Sequence, residues 1–98
     1  MIVLTAYVNL KADKIEEGIA ACEIVRAASI LEPGCEVYDF FQSPRSPNQL
    51  VFVEEWTSLA HLHTHFEQSA FLEFKAKMED LTEAPTELKI FESSLISG

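Results

Sequence analysis

Leu50-Val51-Phe52-Val53-Glu54-Glu55-Trp56 is the stretch that decides the fold. Side chains alternate along a strand, so Leu50, Phe52 and Trp56 share one pleat face, interrupted by Glu54, while Val51 and Val53 share the other. A strand that is apolar on both faces has to be covered on both. It ends on the only tryptophan of the chain and passes through Thr57-Ser58 into a helical segment, Leu59 to Phe71, that holds all three histidines. A chemical site is expected at this strand-helix junction.

Working outward, strand one runs from Ile2 to Leu10, with Ile2, Leu4, Ala6, Val8 and Leu10 on one face and Val3, Thr5, Tyr7 and Asn9 on the other. Helix one follows, with Asp13 and Glu16 as an N-terminal capping pair. Ile15, Ile19, Cys22 and Val25 give it a helical stripe. It stops by Leu31, because Glu32 precedes Pro33 and is pushed out of the α region. Glu32-Pro33-Gly34-Cys35 suits a type II turn, with Pro second and Gly third. Strand two spans Cys35 to Gln42, and the polar, proline-punctuated loop from Ser43 to Gln49 turns the chain back into strand three. Ser58 caps helix two, and Ser69 caps a continuation in which Phe71, Phe74, Met78 and Leu81 recur at helical spacing. Thr82-Glu83-Ala84-Pro85 ends it. The last strand covers Thr86 to Glu92, and residues 93–98 form a loose tail.

The order β-α-β-β-α-β predicts an α+β, ferredoxin-like fold with one antiparallel four-stranded sheet in a single domain, residues 1–98 with a core over 1–92. Right-handed crossovers place both helices on one sheet face. The other face carries Val, Tyr and Phe rather than charges, which predicts a homodimer packed sheet against sheet.

Seven basic and sixteen acidic residues leave a net charge of −9 without any basic cluster. That disfavours nucleic acid and anionic membrane surfaces as partners. No apolar run approaches the roughly 20 residues of a membrane span. Met1 to Val8 lacks the basic start and small-residue cleavage site of a signal peptide and reads as a strand. Cys22 and Cys35 read as buried thiols rather than a disulfide or a redox pair, and the expected compartment is the cytoplasm.

Among residues suited to chemistry, His65 lies at the margin of the apolar stripe of helix two, with His61 nearer solvent and His63 on the opposite flank. An imidazole there suits a proton acceptor or a hydrogen-bond donor to a ligand, or equally a side chain bonded to its own surroundings. His61 and His65, at i and i+4, lack a third metal ligand, and the H-E-x-x-H pattern is absent. Trp56 serves a core or a ligand platform. Tyr7 and Tyr38 are candidate hydroxyls for a cavity, and Glu54 on its apolar strand needs a partner or a wet cavity. No nucleotide loop, Ser/His/Asp arrangement or flavin-type glycine fingerprint occurs, so no cofactor is expected.

Glu32-Pro33-Gly34-Cys35, the strand ending Phe52-Val53-Glu54-Glu55-Trp56, the Leu62-x-x-His65 helix and the following Phe71 together resemble the antibiotic biosynthesis monooxygenase family of dimeric α+β barrels. The resemblance spans almost the whole chain. It implies a cofactor-independent monooxygenase acting on a small phenolic, quinol or polyketide-like aromatic, with isomerisation of a small carbonyl compound or non-catalytic binding of a small molecule as alternatives. The family's recurrent Glu, Trp and His fall on Glu54, Trp56 and His65. The implied site has His65 as the proton acceptor in a pocket of Phe52, Trp56 and Phe71, with Glu54 and Tyr38 also against the substrate. The haem-degrading branch differs: its Asn, Trp and His correspond here to Val8, His65 and Lys75.

Overall fold

The computed structural model describes all 98 residues, Met1–Gly98. The elements are β1 (Ile2–Asn9), α1 (Ile15–Ser29), β2 (Cys35–Gln42), β3 (Gln49–Trp56), α2 (Leu59–Phe66), α3 (Ser69–Leu81) and β4 (Glu87–Glu92). They form one antiparallel sheet in the order β2-β3-β1-β4, the ferredoxin-like α+β arrangement. No helix is long and apolar enough to cross a membrane.

Burial alternates along the two central strands as the sequence pattern requires. In β1, Ile2, Leu4, Ala6 and Val8 are buried; in β3, Leu50, Phe52, Glu54 and Trp56 are. These side chains meet Ala21, Cys22 and Val25 of α1, Leu62 of α2 and Met78 and Leu81 of α3 in one core. The opposite face carries Val3, Tyr7, Val37, Phe41, Val51, Val53 and Phe91, brought together by the strand register, but it is not free of charges as its sequence suggests: Asp39, Glu55, Glu87 and Lys89 share it. Tyr7, Val37, Phe41 and Phe91 are exposed there.

The β2–β3 ladder shifts register between Cys35 and Val37, so that Cys35 opposes Trp56 and Tyr38 opposes Glu54. Plain alternation from Cys35 would send Tyr38 to the outer face. One extra residue in β2 re-phases the strand and buries Tyr38 beneath the helices.

Two expected helix caps fall elsewhere. Asp13 does not cap α1: the N-cap is Lys14, without a side-chain hydrogen bond. The chain leaving β1 is held by Lys11 N–H donating to Leu81 O and by a turn from Lys14 N–H to Lys11 O, which delays the helix. Ser69 lies inside α3, whose N-cap is Gln68 in extended conformation. Ser58 does cap α2, its Oγ accepting from His61 N–H at 3.2 Å.

The turn before β2 forms as its sequence predicts. Cys35 N–H donates to Glu32 O at 3.2 Å, and Gly34 takes φ +80°. A Cβ on Gly34 would meet the His61 ring at 2.3 Å. Gly34→Ala is therefore expected to cost at least about 1–2 kcal/mol from the left-handed backbone alone, seen as a lowered midpoint in urea. An unchanged midpoint would contradict the turn assignment.

Candidate active site

The core is not solid. Between the helix-bearing face of the sheet and α3 lies a cavity of about 200 Å³. Leu4, Ala6, Val8 and Phe52 form its sheet wall, and Phe66, Phe71, Phe74 and Met78 line it from α2 and α3. Tyr38 and Glu54 complete the wall, while the exposed Lys75, Thr86 and Leu88 stand at its rim.

Glu54 is 4% exposed. The sequence asked for a partner or a wet cavity, and the structure supplies the partner, beside a cavity that is mainly apolar. The indole Nε1–H of Trp56 donates to Glu54 Oε1 at 3.0 Å. Burial pushes the Glu54 carboxyl up to about 7, against the opposing effect of the Trp56 hydrogen bond and with the charge of Glu32 adding to the rise. Near neutral pH this group exchanges its proton at little cost, which an ordinary surface carboxylate does not do.

Tyr38 stands edge-on to Phe52, Trp56 and His65, with ring centroids at 5.8, 6.4 and 5.4 Å. Burial, and then the charge of Glu54, push its hydroxyl well above the usual tyrosine value. It remains a proton donor throughout the physiological range.

His65 is deeper than the helical wheel suggests. It is 1% exposed, and its ring lies 4.8 Å from that of Trp56 and 5.1 Å from that of Phe71. Its Nδ1 lies 2.9 Å from Glu32 Oε1. A carboxylate accepts only, so Nδ1 carries the hydrogen and, in a neutral ring, Nε2 carries a lone pair. That Nε2 is buried without a hydrogen-bond partner. Burial lowers the pKa of His65, with Glu32 acting in the opposite sense.

The structure thus brings Phe52, Glu54, Tyr38 and Phe71 onto the cavity wall. Trp56 and His65 are not among its lining residues. They pack behind Tyr38 and Phe71, with Trp56 reaching the site through its bond to Glu54. Tyr7 lies on the far side of the sheet. His61 turns to Ser58 Oγ at 2.9 Å rather than toward His65, and no group of three or more His, Cys, Asp or Glu side chains is placed to hold a metal.

Glu32, Lys75, Met78 and Leu88 were not read as part of the site from sequence. Glu32 reaches His65 across 33 residues, a pairing that only the tertiary fold reveals. Lys75 and Met78 were detectable, because i, i+4 and i+7 from Phe71 share a helix face. Leu88 depends on β4 pairing with Ala6, a register no local pattern specifies.

A ferredoxin-like sheet with an aromatic-lined cavity beneath its helices, holding one perturbed carboxyl, defines a class of small-molecule site. The chain belongs to the antibiotic biosynthesis monooxygenase family, whose model matches residues 1–77. It is 34% identical over 88 residues to "Putative monooxygenase YcnE" of Bacillus subtilis, covering 90% of this chain and 93% of that one. It is 38% identical over 90 residues to the uncharacterized protein sll1783 of Synechocystis, covering 92% of this chain but spanning only 61% of that relative. Among solved structures, "Putative antibiotic biosynthesis monooxygenase from Nitrosomonas europaea" superposes with a TM-score of 0.91 at 27% identity, covering 95% of this chain and 98% of that one.

Proposed function

We propose that the protein is a cofactor-independent monooxygenase of a small electron-rich aromatic, a phenol or hydroquinone. The observation that carries this reading is Glu54, a carboxyl with a pKa raised to about 7, on the wall of an apolar cavity. The family name and the relatives' names support the same class of reaction.

Glu54, as carboxylate, takes the phenolic proton. The anion passes one electron to dioxygen, and the resulting carbon radical and superoxide combine into a peroxide at a ring carbon that bears hydrogen. Loss of water from the protonated hydroperoxide leaves a carbonyl. One oxygen atom enters the substrate, the other leaves as water, and the substrate supplies all the electrons. The apolar wall, the Tyr38 ring included, keeps water from the radical pair. His65, assigned the acceptor from sequence, instead positions the site: it packs on Trp56, whose indole holds Glu54. Oxygen uptake by metal-stripped protein with a panel of hydroquinones and phenols tests this, with consumption above the blank expected. No uptake with any member overturns it.

The burial of His65 and its bond to Glu32 favour one second reading, a binding module that uses the same cavity without turnover. Ligand binding without oxygen uptake would select it. In either case two protomers pack through the outer sheet face, supported by the exposed Tyr7, Val37, Phe41 and Phe91. Cys22 is a buried free thiol and Cys35, expected buried, is a half-buried one; burial pushes their pKa values up to about 12 and about 11, and two such unreactive thiols suit a reducing, cytoplasmic setting.

A further inference from the structure

Resting on that reading, we propose that Lys75 selects aromatic substrates bearing a carboxylate, and uses that group to fix which end of the molecule reaches Glu54. Ten of the thirteen cavity-lining residues are hydrophobic, and only two can carry a charge in the physiological range, Glu54 on the wall and Lys75 at the rim. Lys75 belongs to none of the ion pairs of the fold, which join Lys14 to Glu17, Arg26 to Asp39 and His65 to Glu32. Its charge is therefore uncommitted in a chain of net charge −9. An anionic substituent is repelled by the molecule as a whole and by Glu54 within the cavity. The rim beside Lys75 is the one place along the cavity where it is attracted.

The two charges give the cavity a direction. A carboxylate held at the mouth sends the opposite end of the ring system inward, where a hydroxyl meets Glu54. A neutral ring lacks this constraint and enters either way round. Orientation of this kind raises the fraction of bound molecules able to react. The size fits: an apolar cavity of about 150 Å³ accepts a benzene, and here about 200 Å³ opens at the rim, enough for a substituted ring or a fused pair with its polar end outside.

The test uses two unreactive probes of one shape, 2-naphthoate and neutral 2-naphthamide, with dissociation constants measured by calorimetry at low salt. Wild type is expected to prefer the naphthoate about fivefold, the size of a partly screened ion pair. Lys75→Met is expected to erase that preference while moving the amide's affinity by less than about twofold, Lys75→Arg to keep it, and added salt to shrink it. Equal affinity of wild type for the two probes overturns the proposal, as does a preference that survives Lys75→Met, or failure of both probes to bind at millimolar concentration. Because the probes need no turnover, a protein that prefers naphthoate yet consumes no oxygen refutes the monooxygenase reading and leaves the selection by Lys75 standing. Oxygen uptake without any preference does the reverse.

Discussion

Glu54→Gln is expected to lower oxygen uptake by about 10²–10⁴-fold, the usual contribution of a positioned general base. The amide keeps the shape and the acceptor oxygen for Trp56, so the cavity survives while the proton acceptor is lost. His65→Ala is expected to lower uptake by no more than about tenfold, because in this reading the imidazole acts through the rings packed on it, Trp56, Tyr38 and Phe71, and not on the substrate. A larger loss in His65→Ala than in Glu54→Gln would return the acceptor role to the histidine. In wild type kcat/KM should rise with pH through about 7, as Glu54 ionises, and then level off.

The same carboxyl has an opposite effect on stability. Its folded pKa of about 7 exceeds its ordinary 4.5, so between those values the folded state binds more protons than the unfolded one. Stability contributed by this group then falls as pH rises across that window. The raised pKa corresponds to roughly 3 kcal/mol of penalty once the group is ionised. Glu54→Gln should therefore be more stable than wild type at pH 8 and lose that advantage toward pH 5. A variant that is inactive yet more stable at high pH distinguishes a functional carboxyl from a structural one.

Val53→Asp is expected to split the proposed dimer. Val53 lies on central strand β3, opposite Thr5 and Asp39, on the face turned away from the helices. In the proposed dimer a two-fold axis sets each copy of this face against its mate, so the substitution adds two like charges to the contact, each beside an Asp39. Leaving a buried charge uncompensated costs about 3–5 kcal/mol, which weakens association by a hundredfold or more. Sedimentation at 10 µM should give twice the 11.0 kDa chain mass for wild type and the single chain for Val53→Asp. A wild-type monomer at that concentration would contradict the account of this face.

The sheet was legible in the sequence because alternation and turn chemistry are local signals. Strand two begins and ends where its residues predict, and the Glu32-Pro33-Gly34-Cys35 turn has its hydrogen bond and its positive φ at Gly34. Glu54 was legible as an anomaly, a carboxylate among apolar neighbours. The rest depended on tertiary events. The bulge after Cys35 decides that Tyr38 faces the cavity, and nothing in the sequence of β2 requires it. His65 sits at the edge of the stripe on an isolated helix, yet Tyr38, Trp56, Phe66 and Phe71 close over it, and Glu32 arrives from the turn between α1 and β2. The start of α1 moved from Asp13 because contacts between the chain after β1 and the end of α3 outweigh a capping preference of about 1 kcal/mol.

The most direct measurement is a crystal structure with a bound, oxidation-resistant phenol. The account predicts its ring within the cavity beneath α3 and its hydroxyl oxygen at about 2.5–2.7 Å from a Glu54 carboxylate oxygen. A phenol seated elsewhere, or in the cavity with its hydroxyl turned away from Glu54, would contradict it.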